Sequence, residues 1–460
     1  MSTYINNNML SNTIIVNTIE SSQNENIKDE ELDQVRNIDS ILMKEKYDWF
    51  NYTYDIIIDY INMNMLDICN EKFDDNLYHN IYELLSVTLI GIYNIDESYT
   101  RYLYSINYFI EESLRIVYSN FVPRRSYKKS FIRKTNSDID SIKSKIEYLQ
   151  NIIQPDQRTD EWYEFRHRII TASNLWKIFD SESVLNNIIY EKCNSYTKHD
   201  KTSYISVDTT LHWGQKYEPL STLIYETKNK TKIGEFGCIQ HIKYDFIGAS
   251  PDGINIDVQN CLYGRMLEIK NIVNREITKI PKKAYWIQMQ IQMEVCDLNE
   301  CDFLETRFIE YDNYEEFCND GNDNNLYMTS DGKLKGIILM FYRNHVPIYE
   351  YYLNEFHGNY EEWETKQFEK HKDIVFMRTI YWKLDEYSCI LVLRNKPWFK
   401  EAVKKIKSTW DIIIFEKKNG FEHRAPKKRI RKNSFSIDDD KKCFIKISDK
   451  TKESLNDDSK

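Results

Sequence analysis

Residues Phe246–Ile272 read FIGASPDGINIDVQNCLYGRMLEIKNI. FIGAS and RMLEIKNI are strand candidates, and SPDG is a turn punctuated by Pro251 and Gly253. Asp252 falls at the end of the first run. Glu268 and Lys270 lie two apart in the second, so their side chains share one face of a strand, and a hairpin would set Asp252 beside that face. Two carboxylates and an ammonium on an otherwise apolar strand cost free energy unless each is partnered. A divalent cation offsets that cost. Mg²⁺ takes hard oxygen ligands, usually one or two of them protein carboxylates, and keeps positions for water and phosphate oxygens; Mn²⁺ suits the same donors. Asp252 and Glu268 would hold the ion with the Ile269 carbonyl, while Lys270 would orient a bound water and stabilise charge developing at phosphorus. That pattern points to phosphodiester hydrolysis. The E-x-K tripeptide also occurs at Glu226/Lys228, Glu364/Lys366 and Glu416/Lys418, where a surface ion pair explains it. The preceding SPDG and the apolar Met266, Leu267 and Ile269 set positions 268–270 apart.

Around this stretch the texture is mixed. FLETRFIEY, GIILMFYR and VPIYEYYL are further strand candidates, and KKAYWIQMQIQMEVCD has the length and apolar spacing of a helix packed against them. The fold class that follows is α/β (α+β), a central mixed sheet flanked by helices. Apolar positions recurring at three and four through ILMKEKYDWFNYTYDIIIDYINMNML and RYLYSINYFIEESLRIVYSNF predict an all-helical N-terminal region. The expected divisions are a poorly ordered segment over 1–40, helices over 41–153, the mixed domain over 154–355, a helical C-terminal extension over 356–416 and a charged, disordered tail over 417–460.

Composition narrows the class. At 460 residues and 41% hydrophobic the chain can bury a sizeable core. Its nine cysteines contain no C-x-x-C pair, which points away from a disulfide framework or zinc ribbon and toward a reducing, intracellular compartment. No apolar run is long enough to span a bilayer and the N-terminus lacks a signal-peptide pattern, so a soluble protein that is neither secreted nor membrane-bound is expected; if viral, it would work in the host cytoplasm or nucleus. A net charge of −10 argues against a surface that coats nucleic acid throughout, but not against a local basic groove. Two cationic islands, PRRSYKKSFIRK (Pro123–Lys134) and RAPKKRIRK (Arg424–Lys432), stand out. The first reads as solvated loop charge or a binding patch, the second as a targeting signal or a nucleic-acid patch.

Four blocks in order, EWYEFRHRIITASNLWKI, LHWGQKYEPLSTLIYE, IGASPDG...LEIK and AYWIQMQIQM, resemble the PD-(D/E)xK nuclease superfamily, and closely its phage-lambda-exonuclease or YqaJ-like viral recombinase branch. The resemblance covers about residues 157–310 and implies a restriction-endonuclease-like core. It implies Asp252, Glu268, Lys270 and Gln288 as catalytic residues and Glu218 as a further acid near the metal. It also implies a 5′-phosphate grip from Arg166, Ser173, Ser250 and Gln288. A guanidinium with hydroxyl and amide donors suits a terminal phosphate dianion. Thr171 or Ser173 would also serve as the N-cap of NLWKIF, and a capped helix N-terminus attracts anions. Gln288 and Gln292 share a helix face while Gln290 points elsewhere; the latter two read as solvent or packing residues. The chain departs from the family at Arg168, where Gly is common and where a cation either adds to phosphate binding or faces solvent. It departs again in the 150 or so residues before the domain, so the ring-shaped trimers of the branch do not carry over, although an oligomer is compatible.

The function expected is a metal-dependent exonuclease acting on double-stranded DNA ends, 5′ to 3′ by resemblance, in viral recombination or repair. The alternatives are a structure- or site-specific endonuclease on the same core and, from another class, a catalytically silent DNA-end-binding adaptor. The chain has no G-x-x-x-x-G-K-[ST], so a helicase or single-strand annealing protein would be a separate partner.

Overall fold

The computed structural model describes residues 40–42, 44–93, 103–133, 139–155, 159–196, 209–321, 325–344 and 346–426. Residues 1–39 of the N-terminal segment expected over 1–40, and residues 427–460 of the tail expected over 417–460, lie outside the described residues, and with them all of the second cationic island beyond Pro426.

The helices are α1 (Lys46–Met63), α2 (Phe73–Tyr93), α3 (Leu103–Asn120), α4 (Ile139–Asn151), α5 (Asp160–Arg168), α6 (Ala172–Leu175), α7 (Glu182–Cys193), α8 (Thr210–Asn229), α9 (Lys283–Cys296), α10 (Tyr314–Asn319), α11 (Asn354–His357), α12 (Tyr360–Lys370) and α13 (Lys396–Asn419). The strands are β1 (Ile170–Thr171), β2 (Ile233–Gly234), β3 (Ile239–Gln240), β4 (Ile247–Ala249), β5 (Gly253–Asn255), β6 (Met266–Asn271), β7 (Glu300–Tyr311), β8 (Lys335–Arg343), β9 (Val346–Tyr352) and β10 (Val375–Leu393). Seven strands form one sheet in the order β2-β5-β6-β7-β10-β8-β9, and β1-β4-β3 form a small second sheet. Only β6–β7 in the large sheet and β1–β4 in the small one are parallel among the described pairs. The sheet is therefore mixed and flanked by helices, as the sequence led one to expect.

The N-terminal helices form because their core-facing residues recur every four positions: Trp49, Thr53, Ile57 and Ile61 on α1, the Thr53 hydroxyl turned back to the Trp49 carbonyl, and Leu77, Ile81, Leu85 and Leu89 on α2, are all buried. Their core is continuous with that of the mixed domain, since the same cluster includes Trp286, Met289 and Ile291 of α9 and Trp398 and Ile406 of α13. The first cationic island is part of the joint. Arg125 is 2% exposed and donates to the carbonyls of Cys69 (2.9 Å) and Pro281 (2.6 Å), while its own carbonyl accepts from the Trp286 indole at 2.8 Å. Backbone amides of Tyr127 and Ser130 then bond the carbonyls of Leu391 (3.0 Å) and Cys389 (2.9 Å). They occupy the edge of β10 that β8 leaves, because the β8–β10 pairing ends at Lys335/Lys383. Arg124 and Arg133 pair with Asp74 and Glu300. Lys128 and Lys129 stay exposed, so Arg124, Arg125 and Arg133 are tied into the structure while these two lysines remain on the surface.

Three expectations change. The tail expected from 417 begins later, because residues 417–419 close α13 and Arg424 donates to Glu416 and Asn186. The segment 356–416 is not helical throughout, because β10 occupies 375–393 as a central strand between β7 and β8. Ile380, Trp382 and Leu384 alternate on its buried face, the period of a strand; amphipathic helices on either side, α12 and α13, masked it. The hairpin partner of β6 also differs. It is β5, which begins just after Asp252 and pairs through Gly253↔Leu267, whereas FIGAS supplies β4 to the second sheet. The short β5 follows the Pro251–Asp252 turn too closely to register as a separate run.

Candidate active site

Strand β6 is buried from Met266 to Ile269 and opens at Lys270, so its end delivers charged groups from the core to the surface. Glu268 is fully buried. One of its carboxylate oxygens accepts from the Lys270 ammonium, and the other accepts from the Gln292 amide of α9 at 2.7 Å. Asp252 reaches the same place from the start of β5, where its Oδ2 accepts the backbone N–H of Ile269 at 2.7 Å. The N–H and C=O of one strand residue point the same way, so the Ile269 carbonyl also opens on the Asp252 side.

Electrostatics follow the burial. Burial and the neighbouring Glu268 carboxylate hold Asp252 well above the usual carboxylate range, with Lys270 and the Ile269 N–H opposing them. Burial pulls Lys270 down, but Glu268 and Asp252 outweigh it and leave the ammonium above its ordinary value. The three groups thus form one interacting cluster, two carboxyl groups to one ammonium. Glu218 is exposed on α8, and its charge adds to the upward pressure on Asp252. Helix α8 is seated on β6 by Asn271, which donates to the Gly214 carbonyl at 2.9 Å and accepts from the Ser221 hydroxyl at 2.7 Å.

Gln292 carries the cluster sideways. Its amide also donates to the Ser250 carbonyl at 3.2 Å, and the Ser250 hydroxyl accepts from Arg166 Nη1 at 3.2 Å. Arg166 lies over the Trp162 ring, 4.4 Å from its centroid. A cavity of about 500 Å³ opens beside Arg166, bounded by His167, Thr171, Asn174, Lys192 and Tyr196 among others. Thr171, which caps α6 by position but not with its side chain, has its hydroxyl 3.2 Å from that of Ser173 and accepts from Asn174 at 3.3 Å.

The structure therefore brings together Asp252, Glu268, Lys270, Ile269, Ser250 and Arg166, with Glu218 within electrostatic reach, Thr171 at the cavity and Ser173 beside Thr171. It does not bring in Arg168, which is exposed and paired with Glu164 one helical turn back. The Gln288 side chain makes no hydrogen bond among the described residues, whereas Gln292, expected to be a solvent or packing residue, touches Glu268. The i, i+4 spacing had placed both on one face, but only the register of α9 against β6 selects the second. Gln290 is a packing residue as expected, bonded at both ends of its amide to the Leu393 carbonyl (2.9 Å) and the Asn395 N–H (2.7 Å). Among the described residues no group of three or more His, Cys, Asp or Glu side chains is arranged to hold a metal ion, and no helix is long and apolar enough to cross a membrane.

Residues 161–299 match the family model of the YqaJ-like viral recombinase domain, in agreement with the resemblance drawn from the four sequence blocks. A curated relative, the uncharacterized protein R354 of Acanthamoeba polyphaga mimivirus, is 29% identical over 334 residues, covering 64% of this chain; the chain spans 57% of that relative's length. Among solved structures, an alkaline exonuclease from Laribacter hongkongensis is matched at 17% identity and a TM-score of 0.34, over 57% of this chain and 95% of that one. The same exonuclease in complex with dAMP is matched at 16% identity and a TM-score of 0.32 over the same shares.

Proposed function

Taking residues 161–299 as a YqaJ-like viral recombinase domain, we propose that the chain is a metal-dependent DNA exonuclease that degrades the 5′ strand from duplex ends during recombination or repair of a viral genome. The observation that carries the reading is the unbroken path of hydrogen bonds from Lys270 through Glu268, Gln292 and Ser250 to Arg166. It joins a buried carboxylate cluster to a cation beside a cavity. An end-cutting enzyme needs both, one to act on the scissile phosphate and one to hold the strand's terminus.

The donor set fits a hard cation, Mg²⁺ or Mn²⁺. Asp252 and Glu268 supply two carboxylates, the Ile269 carbonyl a neutral oxygen and Glu218 a further carboxylate nearby; two protein carboxylates with remaining positions for water suit these ions. The cation would lower the pKa of a bound water and polarise the phosphoryl oxygens. The chain's own residues do the positioning. Gln292 and Lys270 fix both oxygens of Glu268, and the Ile269 N–H fixes one oxygen of Asp252, so the other stays available. Lys270 stands where it can hold a nucleophilic water and offset negative charge at phosphorus. Arg166, with Ser250, Thr171 and Ser173 nearby, would take the 5′-terminal phosphate.

Arg166→Ala is expected to lower kcat/KM on 5′-phosphorylated ends about ten- to hundredfold, the worth of a hydrogen bond to a charged group, and to affect 5′-hydroxyl ends less. The assay uses one linear duplex with either end group, beside a covalently closed circle. Equal loss on both ends would refute the phosphate grip, and cutting of the circle would move the assignment to an endonuclease.

A further inference from the structure

Arg166 stands in the last turn of α5, and the carbonyls of Arg166 and His167 lie at that helix's C-terminus. A helix C-terminus carries partial negative charge and unpaired carbonyls. It is therefore a poor neighbour for a phosphate dianion unless something neutralises it. Lys192 does so. It projects from α7, is only 5% exposed, and its ammonium donates to the Arg166 carbonyl at 2.9 Å and the His167 carbonyl at 3.3 Å. It also bounds the cavity beside Arg166. A buried ammonium is costly, and an uncharged cap would satisfy a helix end at less cost. The second cation against the same cavity wall is what an uncharged cap would not provide.

We infer that Lys192 is a positioning and specificity residue for the 5′-phosphate: bound to the carbonyls of Arg166 and His167, it holds Arg166 in place and reverses the negative potential of the α5 C-terminus, so that the cavity accepts a terminal phosphate dianion. This rests on the reading of Arg166 and Ser250 as the seat of that phosphate. The groups facing Lys192 are Arg166 and His167 of α5, Glu191 of its own helix, Lys177 of the turn after α6, and Cys238. Burial lowers His167, which leaves it uncharged at neutral pH. Burial, with Arg166 and Lys177 adding to it against Glu191, brings Lys192 down to about 8. The phosphate preference is then present below that value and fades as the pH rises through it.

The test measures binding of a fluorescent duplex with a 5′-phosphate or a 5′-hydroxyl, in EDTA so that nothing is cut, for the parent, Lys192→Met and Lys192→Arg, with melting temperatures alongside. The parent is expected to favour the phosphate, and Lys192→Met to reduce that preference about tenfold, the scale of a partly buried charge at a helix end. Lys192→Arg should restore it and keep it above pH 8, where the parent loses it. A Met variant that keeps the parent's preference, or that weakens both duplexes in proportion to a lowered melting temperature, overturns the inference. A parent with no phosphate preference instead overturns the seat assigned to Arg166 and Ser250.

Discussion

Asp252→Asn is expected to abolish strand cleavage while leaving the protein folded and, without divalent cations, more resistant to heat than the parent at neutral and higher pH. The carboxylate sits against Glu268, and burial together with that neighbour raises it well above its unfolded value. A carboxyl group raised in this way contributes stability that is complete below the unfolded pKa and is lost as the pH climbs through the folded one. Above the ordinary carboxylate range the native state therefore bears a cost that the unfolded chain, whose Asp252 ionises freely in water, does not, and the neutral amide removes it. A bound cation relieves the same cost in the parent, so Mg²⁺ should raise the parent's melting temperature, more so as the pH rises, and leave the variant's nearly unchanged. Loss of the ion's contribution removes several kcal/mol of transition-state stabilisation, about a thousandfold or more in rate. Thermal unfolding with and without Mg²⁺ across pH, beside a cleavage assay, checks both parts; a parent indifferent to the ion would contradict the metal assignment.

The second large effect is on stability. Arg265 precedes β6 and is 3% exposed. It donates to Glu300 at 2.6 and 3.0 Å, to Asp302 at 3.3 Å, to the Ser130 hydroxyl at 3.0 Å and to the Phe131 carbonyl at 3.1 Å. One guanidinium thus ties the strand that carries Glu268 to β7 and to the segment linking the N-terminal helices. Arg265→Met would leave Asp302, 1% exposed, with only the hydroxyls of Ser130 and Tyr225, both at 2.6 Å. Removing one partner of a buried ion pair costs about 3–5 kcal/mol, while replacing both by apolar groups is often neutral. Denaturant unfolding is expected to show that deficit for the single variant and recovery of much of it in Arg265→Met/Asp302→Leu. The deficit should shrink on acidification, because burial already pushes Asp302 upward despite Arg265 and a stranded carboxylate takes up its proton more readily still.

Much of this arrangement was legible in the sequence because it depends on short-range periodicity. The alternation in RMLEIKNI set Glu268 and Lys270 on one face, and the apolar repeat through Ile57 and Ile61 announced the first of the helices. What was hidden depends on long-range register. Nothing local distinguishes Gln288 from Gln292; their difference lies in how α9 seats against β6. The 375–393 strand has a clear alternation at Ile380, Trp382 and Leu384, but the helical patterns on either side absorbed it. Arg125 and Lys192 look like surface cations in a chain with 29% charged residues, and only the folded chain shows the carbonyls that bury them. Which part of the Pro123–Lys134 island is structural was hidden in the same way, since only the folded chain shows β10 offering Leu391 and Cys389 as backbone partners to Tyr127 and Ser130.

The central claim, that the Asp252–Glu268–Lys270 cluster cuts DNA from its ends, is tested most directly by following a linear duplex labelled on either strand end with purified protein, in Mg²⁺ and in EDTA, beside Lys270→Ala. The account predicts Mg²⁺-dependent loss of the 5′-phosphorylated strand and none with the variant. Firm binding of the ends by the parent with no strand loss in Mg²⁺ or Mn²⁺ would contradict it and leave a DNA-end-binding adaptor in its place.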